Sequence, residues 1–193
     1  MEQGLRRHDR AGRKRGRGEI ELLRKSENKR MKILIAVEDK QFAEAITAFM
    51  CGNRNWNDKV EFRVMHVVEP LYIGAISGYP HDVLTSFIEE RQRAGRSLVL
   101  SVGTELRQHY PSAEIQEDVV DGHAKQVLIE TAKTWPADLI VVGSHGRSGL
   151  SQFLLGSVSM SVLSAAPCSV MVVKLPAETT SQDAKTKEAT LAK

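Results

Sequence analysis

Along the middle of this chain, hydrophobic residues switch repeatedly between two spacings. Residues 32–37 (KILIAV) form a short, β-branched apolar run, and Phe42, Ala45, Ile46, Phe49 and Met50 then recur every three or four positions. The run predicts a strand and the recurrence a helix. Residues 60–68 (VEFRVMHVV) predict a second strand, closed by Glu69-Pro70. Past the irregular segment LYIGAISGYP comes a long helix with Val83, Leu84, Phe87, Ile88, Ala94, Leu98, Val102 and Leu106 on one face. Residues 114–120 predict a third strand. A helix starting near Gly122 follows, with Val127, Leu128, Thr131 and Ala132 inward, and WPAD stops it. The fourth strand, 138–143, is apolar through its middle, as a parallel strand covered on both faces must be. A helix over 156–165 and a strand over 168–174 complete the series.

Strands alternating with helices imply parallel βαβ units with right-handed crossovers. The predicted fold is therefore α/β: an open five-stranded parallel sheet with helices on both faces, of the nucleotide-binding, Rossmann-like kind. In such sheets ligands bind beyond the carboxyl ends of the strands, where strand order reverses. The first and fourth strands are the expected central pair, so the loops after Val37 and Val142 should face one another.

Charge separates the parts. Residues 1–30 carry eleven Lys/Arg against five Asp/Glu, a surplus of six, so residues 31–193 carry −3 within the overall +3. The arm has little to bury and reads as disordered, or as a misassigned start upstream of Met31; association with nucleic acid through it is a minor alternative. Residues 31–174 form one domain, and 175–193 read as a polar disordered tail. No apolar run approaches the roughly 18–20 residues of a membrane span, and no secretory leader is evident. The expectation is a cytoplasmic protein without a membrane partner. Cys51 and Cys168 have no metal-ligand or CxxC spacing and read as free thiols.

The candidate chemistry lies in residues 141–159, VVGSHGRSGLSQFLLGSVS. Gly143 is expected to leave the fourth strand, Gly146 to turn the loop, and Gly156 with Ser157 to open a helix. The unpaired N–H groups of a helix amino terminus favour anions, so Gly156, Ser157, Val158 and Ser159 make a phosphate cradle. Arg147 has the planar guanidinium that suits phosphate, with His145 a weaker candidate. No GK[ST] follows, and GxGxxG is absent, which disfavours P-loop and dinucleotide chemistry.

The spacing Gly143-x2-Gly146-x9-Gly156-Ser157, between ADLIVVGSHGRSGL and APCSVMVVK, resembles the ATP-binding signature of the universal stress protein family. The likeness covers residues 31–174 and includes ILIAVED and HVVEP. It implies ATP, with or without Mg²⁺, as ligand and a homodimer paired through strand 168–174. By that resemblance Gly143 lies near the ribose, while Gly146, Gly156, Ser157, Val158 and Ser159 hold phosphates. Val67 matches the position that meets adenine, and Ala36, Val37 and Glu38 match the adenosine-facing end of the first strand. The family's Asp-Gly-Ser is here Glu38-Asp39-Lys40. Asp39 introduces a second negative charge, which Lys40 is expected to offset.

Elsewhere, Asp121 is expected to cap the third helix. Glu89, Glu90, Arg91 and Arg93 read as a solvated helix face, and Trp56 and Trp135 as packing residues. A dedicated catalyst needs a positioned base, nucleophile or metal, and the glycine segment supplies no carboxylate to orient one. The implied function is an ATP-dependent regulator or adaptor in stress response, by resemblance. The alternatives are a slow ATP-hydrolysing enzyme or a nucleotide-independent dimeric adaptor.

Overall fold

The computed structural model of the chain describes residues 29–52, 56, 59–71, 78, 80–144 and 155–175. Within them the order is β1 (Met31–Ala36), α1 (Lys40–Gly52), β2 (Val60–Val68), α2 (His81–His109), β3 (Glu114–Asp121), α3 (Ala124–Thr134), β4 (Leu139–Gly143), α4 (Ser157–Ala165) and β5 (Ser169–Val173). The strands form one sheet in the order β3-β2-β1-β4-β5, and every pairing is parallel. This is the open α/β sheet that the pattern predicts, with β1 and β4 as the central pair. Ile33 is opposite Phe62 on one side and Leu139 on the other.

Alternation along the strands sorts the core into two layers. Ile33, Ile35 and Val37 pack with Phe62, Val64 and Val141 beneath α1 and α2, where Ile46, Met50, Val99, Val102 and Leu106 are buried. Leu34, Met65, Ile140 and Val142 point the other way, against Leu128 and Ala132 of α3 and Val162 of α4. Neither face is left open, which is why the central strands are apolar at both odd and even positions.

The predicted inner face of α2 holds only in its second half. Val99, Val102 and Leu106 are buried, but Ala94 is exposed, and Val83 and Phe87 are each 47% exposed with Ile88 at 39%. The sheet ends before the helix does: Gly95 packs on His66 near the carboxyl end of β2, and no described strand lies beneath the turns of α2 that precede it. Trp56 and Trp135 pack against the two core layers as expected, and the Trp135 indole also donates to Glu61 and stacks on the Lys32 ammonium. Cys51 and Cys168 are free thiols, and burial pushes both thiol pKa values up.

Candidate functional site

At the carboxyl ends of β2, β1 and β4 lies a cavity of about 410 Å³, within the usual range of ligand clefts. It straddles β1 and β4, where strand order reverses. Of the residues singled out from the sequence, Ala36, Val37, Glu38, Val67, Gly143, Gly156, Ser157, Val158 and Ser159 all line it. Gly146 and Arg147, like His145, lie outside the described residues, as do 1–28 and 176–193.

The β1 wall is held from both neighbours. Val37 donates its N–H to the Met65 carbonyl at 2.9 Å, and its own carbonyl lies 2.9 Å from His66 Nδ1. Glu38 is exposed at the mouth. Asp39, which stands where the family pattern has glycine, is turned to local use: its carboxylate accepts the Phe42 N–H at 3.0 Å and caps α1. It is not among the lining residues. Lys40, which follows Asp39, pairs across one helical turn with Glu44 at 3.7 Å, both strongly exposed.

On the β4 side, Gly143 remains within the strand rather than leaving it. Its missing side chain is explained by packing: a Cβ there would stand 2.5 Å from Cδ1 of Phe42, whose ring covers it. Ser144 follows, donating its N–H to the Val173 carbonyl and accepting that of Gly156 at 2.7 Å. The Ser159 hydroxyl donates to the Gly143 carbonyl at 2.6 Å. These contacts tie the start of α4 to the end of β4. The Ser159 side chain is thereby a structural tie, and Ser159 lines the cavity beside Ser157 and Val158.

Gly156 is the N-cap of α4, with φ −60° and ψ 154°. That conformation is open to any residue, so left-handed freedom is not the reason for glycine here. An N-cap Ser, Thr, Asp or Asn would hydrogen-bond the first-turn N–H groups itself. Glycine has no side chain to do so, and the N–H groups of Ser157, Val158 and Ser159 have no partner within the helix. The cap is chemically blank, and the turn it opens favours an anion.

At the other end the cavity is closed by residues that sequence reasoning missed or placed elsewhere. Asp121 does not cap α3; it is the last residue of β3, and its carboxylate accepts from Gln92 Nε2 at 3.0 Å. Gly122, at φ +148°, turns the chain as only glycine readily does, and α3 begins at Ala124. The capping carboxylate comes from Glu69, beyond the end of β2: Oε1 accepts the Ala124 N–H at 2.7 Å, and Oε2 accepts from His123 Nδ1 at 3.0 Å. Arg91 is not part of a wholly solvated face. It is half-buried, donates from Nη1 to the Glu69 carbonyl at 2.7 Å and lines the cavity with Glu69, Ala124 and Leu128. Only HVVEP at the end of β2 pointed to Glu69; nothing local marked Arg91, which reaches the cavity across 22 residues.

An open sheet with a crevice at its strand-order reversal and a helix amino terminus facing it defines the doubly wound α/β class. The universal stress protein family model matches residues 29–174, and the chain belongs to that family. A Synechocystis sp. universal stress protein is 27% identical over 151 residues, which cover 74% of this chain and 97% of that one. Universal stress protein A homolog 2 of Coxiella burnetii is 54% identical over a shorter match, 28% of this chain and 36% of that protein's length. Among solved structures, universal stress protein UspA of Lactobacillus plantarum shares the fold with TM-score 0.63 at 20% identity, covering 75% of this chain and 98% of its own. An Arabidopsis thaliana family protein with AMP bound has TM-score 0.55 at 18% identity, over 77% and 94%. A universal stress protein in complex with cAMP has TM-score 0.52 at 18% identity, over 77% and 99%. Among the described residues, no helix is long and apolar enough to cross a membrane.

Proposed function

We propose that this protein binds an adenine nucleotide, ATP in particular, at the mouth of its sheet and acts as a nucleotide-dependent regulator or adaptor in stress response. The carrying observation is the placement, around one cavity, of the carboxyl end of β1, Val67 of β2 and the blank-capped amino terminus of α4. Those elements are drawn from a span of more than a hundred residues, from the end of β1 to the start of α4, and each suits a different part of a nucleotide. The bound AMP and cAMP of two structural neighbours support the same reading. So does the position of Asp39, whose carboxylate is engaged at the start of α1 rather than aimed at a phosphate.

Homodimer formation through residues 168–174 belongs to the same proposal. β5 is an edge strand with Val170, Met171 and Val172 half-buried, and an unpaired apolar edge calls for a partner. The test is to denature the purified protein, identify any released nucleotide by chromatography, and titrate the stripped protein with ATP, with and without Mg²⁺, by calorimetry. Retained or saturably bound adenine nucleotide is the expected result. A protein that neither carries nor binds one is not a nucleotide-dependent regulator.

A further inference from the structure

The free edge of β5 is bordered by exposed apolar side chains on both faces of the sheet. On one face α4 packs over β5 and against α3, and its Val158 shares the cavity wall with Ala124 and Leu128 of α3. At 3.6 residues per turn, Met160 and Leu163 fall on the flank of α4 turned away from α3, beside that edge. Each is 49% exposed. On the other face α1 packs over β4 and β5 as well as against α2. Its Phe49, 39% exposed, lies about half a turn from Cys51, whose thiol sits by Glu105 of α2. Residues 155–173 contain no Asp, Glu, Lys or Arg, although such residues make up 26% of the chain.

This surface suits a second copy of the chain. It offers no charge for an oppositely charged partner to match, and depletion of charge with enrichment in Met and aromatic side chains marks the core of an interface. Antiparallel pairing of β5 with its own copy, about a twofold axis normal to the sheet, keeps each layer on its own side. α4 then meets α4 and α1 meets α1, with Met160 and Leu163 facing their counterparts.

The same helix opens at the phosphate end of the cavity. Met160 donates its N–H to the carbonyl of the N-cap, Gly156, at 2.9 Å, and Gly156 donates to the Ser144 carbonyl at 2.7 Å. Ser144 in turn donates its N–H to the carbonyl of Val173, the last residue of β5, at 2.8 Å. The anion-facing cap is thus bonded directly to the flank residue Met160 and, through one residue, to the edge strand. α4 has nine residues, too few to hold helical form by themselves. Whatever fixes its first turn also fixes the surface that a second copy packs against.

We infer that nucleotide binding and the pairing of two copies are linked through α4, each strengthening the other. This linkage rests on the proposed nucleotide site and β5 pair, and it adds the element that joins them. An anion on the α4 terminus orders the helix before pairing, pairing orders it before an anion arrives, and the two effects are reciprocal.

Sedimentation velocity of the full chain across protein concentration, without nucleotide and with saturating ATP, reads the linkage. ATP should lower the dimer dissociation constant about fivefold or more. Met160→Glu combined with Leu163→Glu sets like charges against each other across the axis and should weaken pairing about tenfold or more. Both side chains are exposed, so thermal unfolding should show the fold kept. Calorimetry on that variant should still register ATP, with an affinity that no longer rises with protein concentration. A dissociation constant that ATP leaves unchanged or raises overturns the inference and spares the nucleotide site. So does a chain that binds ATP yet stays monomeric at every concentration, its α4 flank covered by something other than a second copy. Pairing at wild-type strength in the folded double variant removes α4 from the interface and overturns the inference equally. The comparison on the unaltered chain stands whether or not the variant folds. A chain that pairs but neither carries nor binds a nucleotide overturns the proposed function itself, and the linkage with it.

Discussion

His66 Nδ1 lies 2.9 Å from the carbonyl oxygen of Val37. A carbonyl only accepts, so Nδ1 carries the hydrogen. With the Val37 N–H donated to Met65, both backbone polar groups of the residue that follows β1 are held by its neighbour β2. The imidazole is 6% exposed and fits beneath α2 because Gly95 has no side chain: a Cβ there would stand 2.5 Å from Cδ2 of His66. One wall of the cavity is therefore set by a histidine on the next strand and a gap in the helix above it.

Replacing His66 by Leu should leave the buried Val37 carbonyl without that donor and cost about 1–3 kcal/mol. Gly95→Ala should cost a similar ~1–3 kcal/mol by overpacking the ring. Urea unfolding measures both, and wild-type midpoints in the two variants would remove this contact from the account of the site.

Gly143→Ala places a Cβ against the Phe42 ring, and the expected penalty is about 1–3 kcal/mol. Phe42→Ala is destabilising by itself through the cavity it leaves. In the double variant the Gly143 penalty should shrink, because the clashing ring is gone. A double-mutant cycle by chemical denaturation tests this: strictly additive losses would mean that the glycine serves something other than Phe42.

Gly156→Ser should move stability and binding in opposite directions. The serine hydroxyl can accept a first-turn N–H of α4, which raises helix stability by a few tenths of a kcal/mol (about 0.3). The same bond competes with a phosphate, so ATP affinity should fall severalfold. Thermal unfolding beside calorimetric titration reads the two effects, and undiminished affinity would take the α4 terminus out of the phosphate site.

Asp138 links the strand ends to the acid stability of the fold. Burial opposes its charge, but the Lys29 ammonium at 2.7 Å and the Lys32 N–H at 3.0 Å outweigh that and hold its carboxyl below the usual range. A carboxyl depressed in the folded state stabilises fully above its unfolded pKa of about 3.9, and that contribution is lost as pH falls through the folded value. Asp138→Asn should therefore destabilise the protein at neutral pH and flatten its stability curve on the acid side. Unfolding free energies measured from pH 7 down to about 3 decide it; parallel curves for the two proteins would show that Asp138 carries no such linkage.

Hydrophobic period alone determined most of the architecture. Burial follows each element's own period, or runs unbroken where both faces are covered, so Ile33 to Ala36, Val60 to Val68 and Leu139 to Val142 announced themselves as strands locally. The α4 terminus was legible too, because a glycine and a serine opening a helix are a local pattern. The exposed Val83 and Phe87 were misread because helical spacing records a stripe without recording where the sheet beneath it stops.

Tertiary structure alone decided which polar groups meet. Asp39 and Asp121 both stood beside helix starts in the sequence. Asp39 caps its own helix; Asp121 remains in β3, and the cap of α3 is supplied by Glu69 from 55 residues away. Arg91 and His66 likewise found partners only when α2 crossed the sheet and β1 came to lie beside β2. Burial against solvent is a property of each residue and its near neighbours, so it is written along the chain. A hydrogen bond needs two groups within about 3 Å, and for distant residues only the folded topology brings them that close.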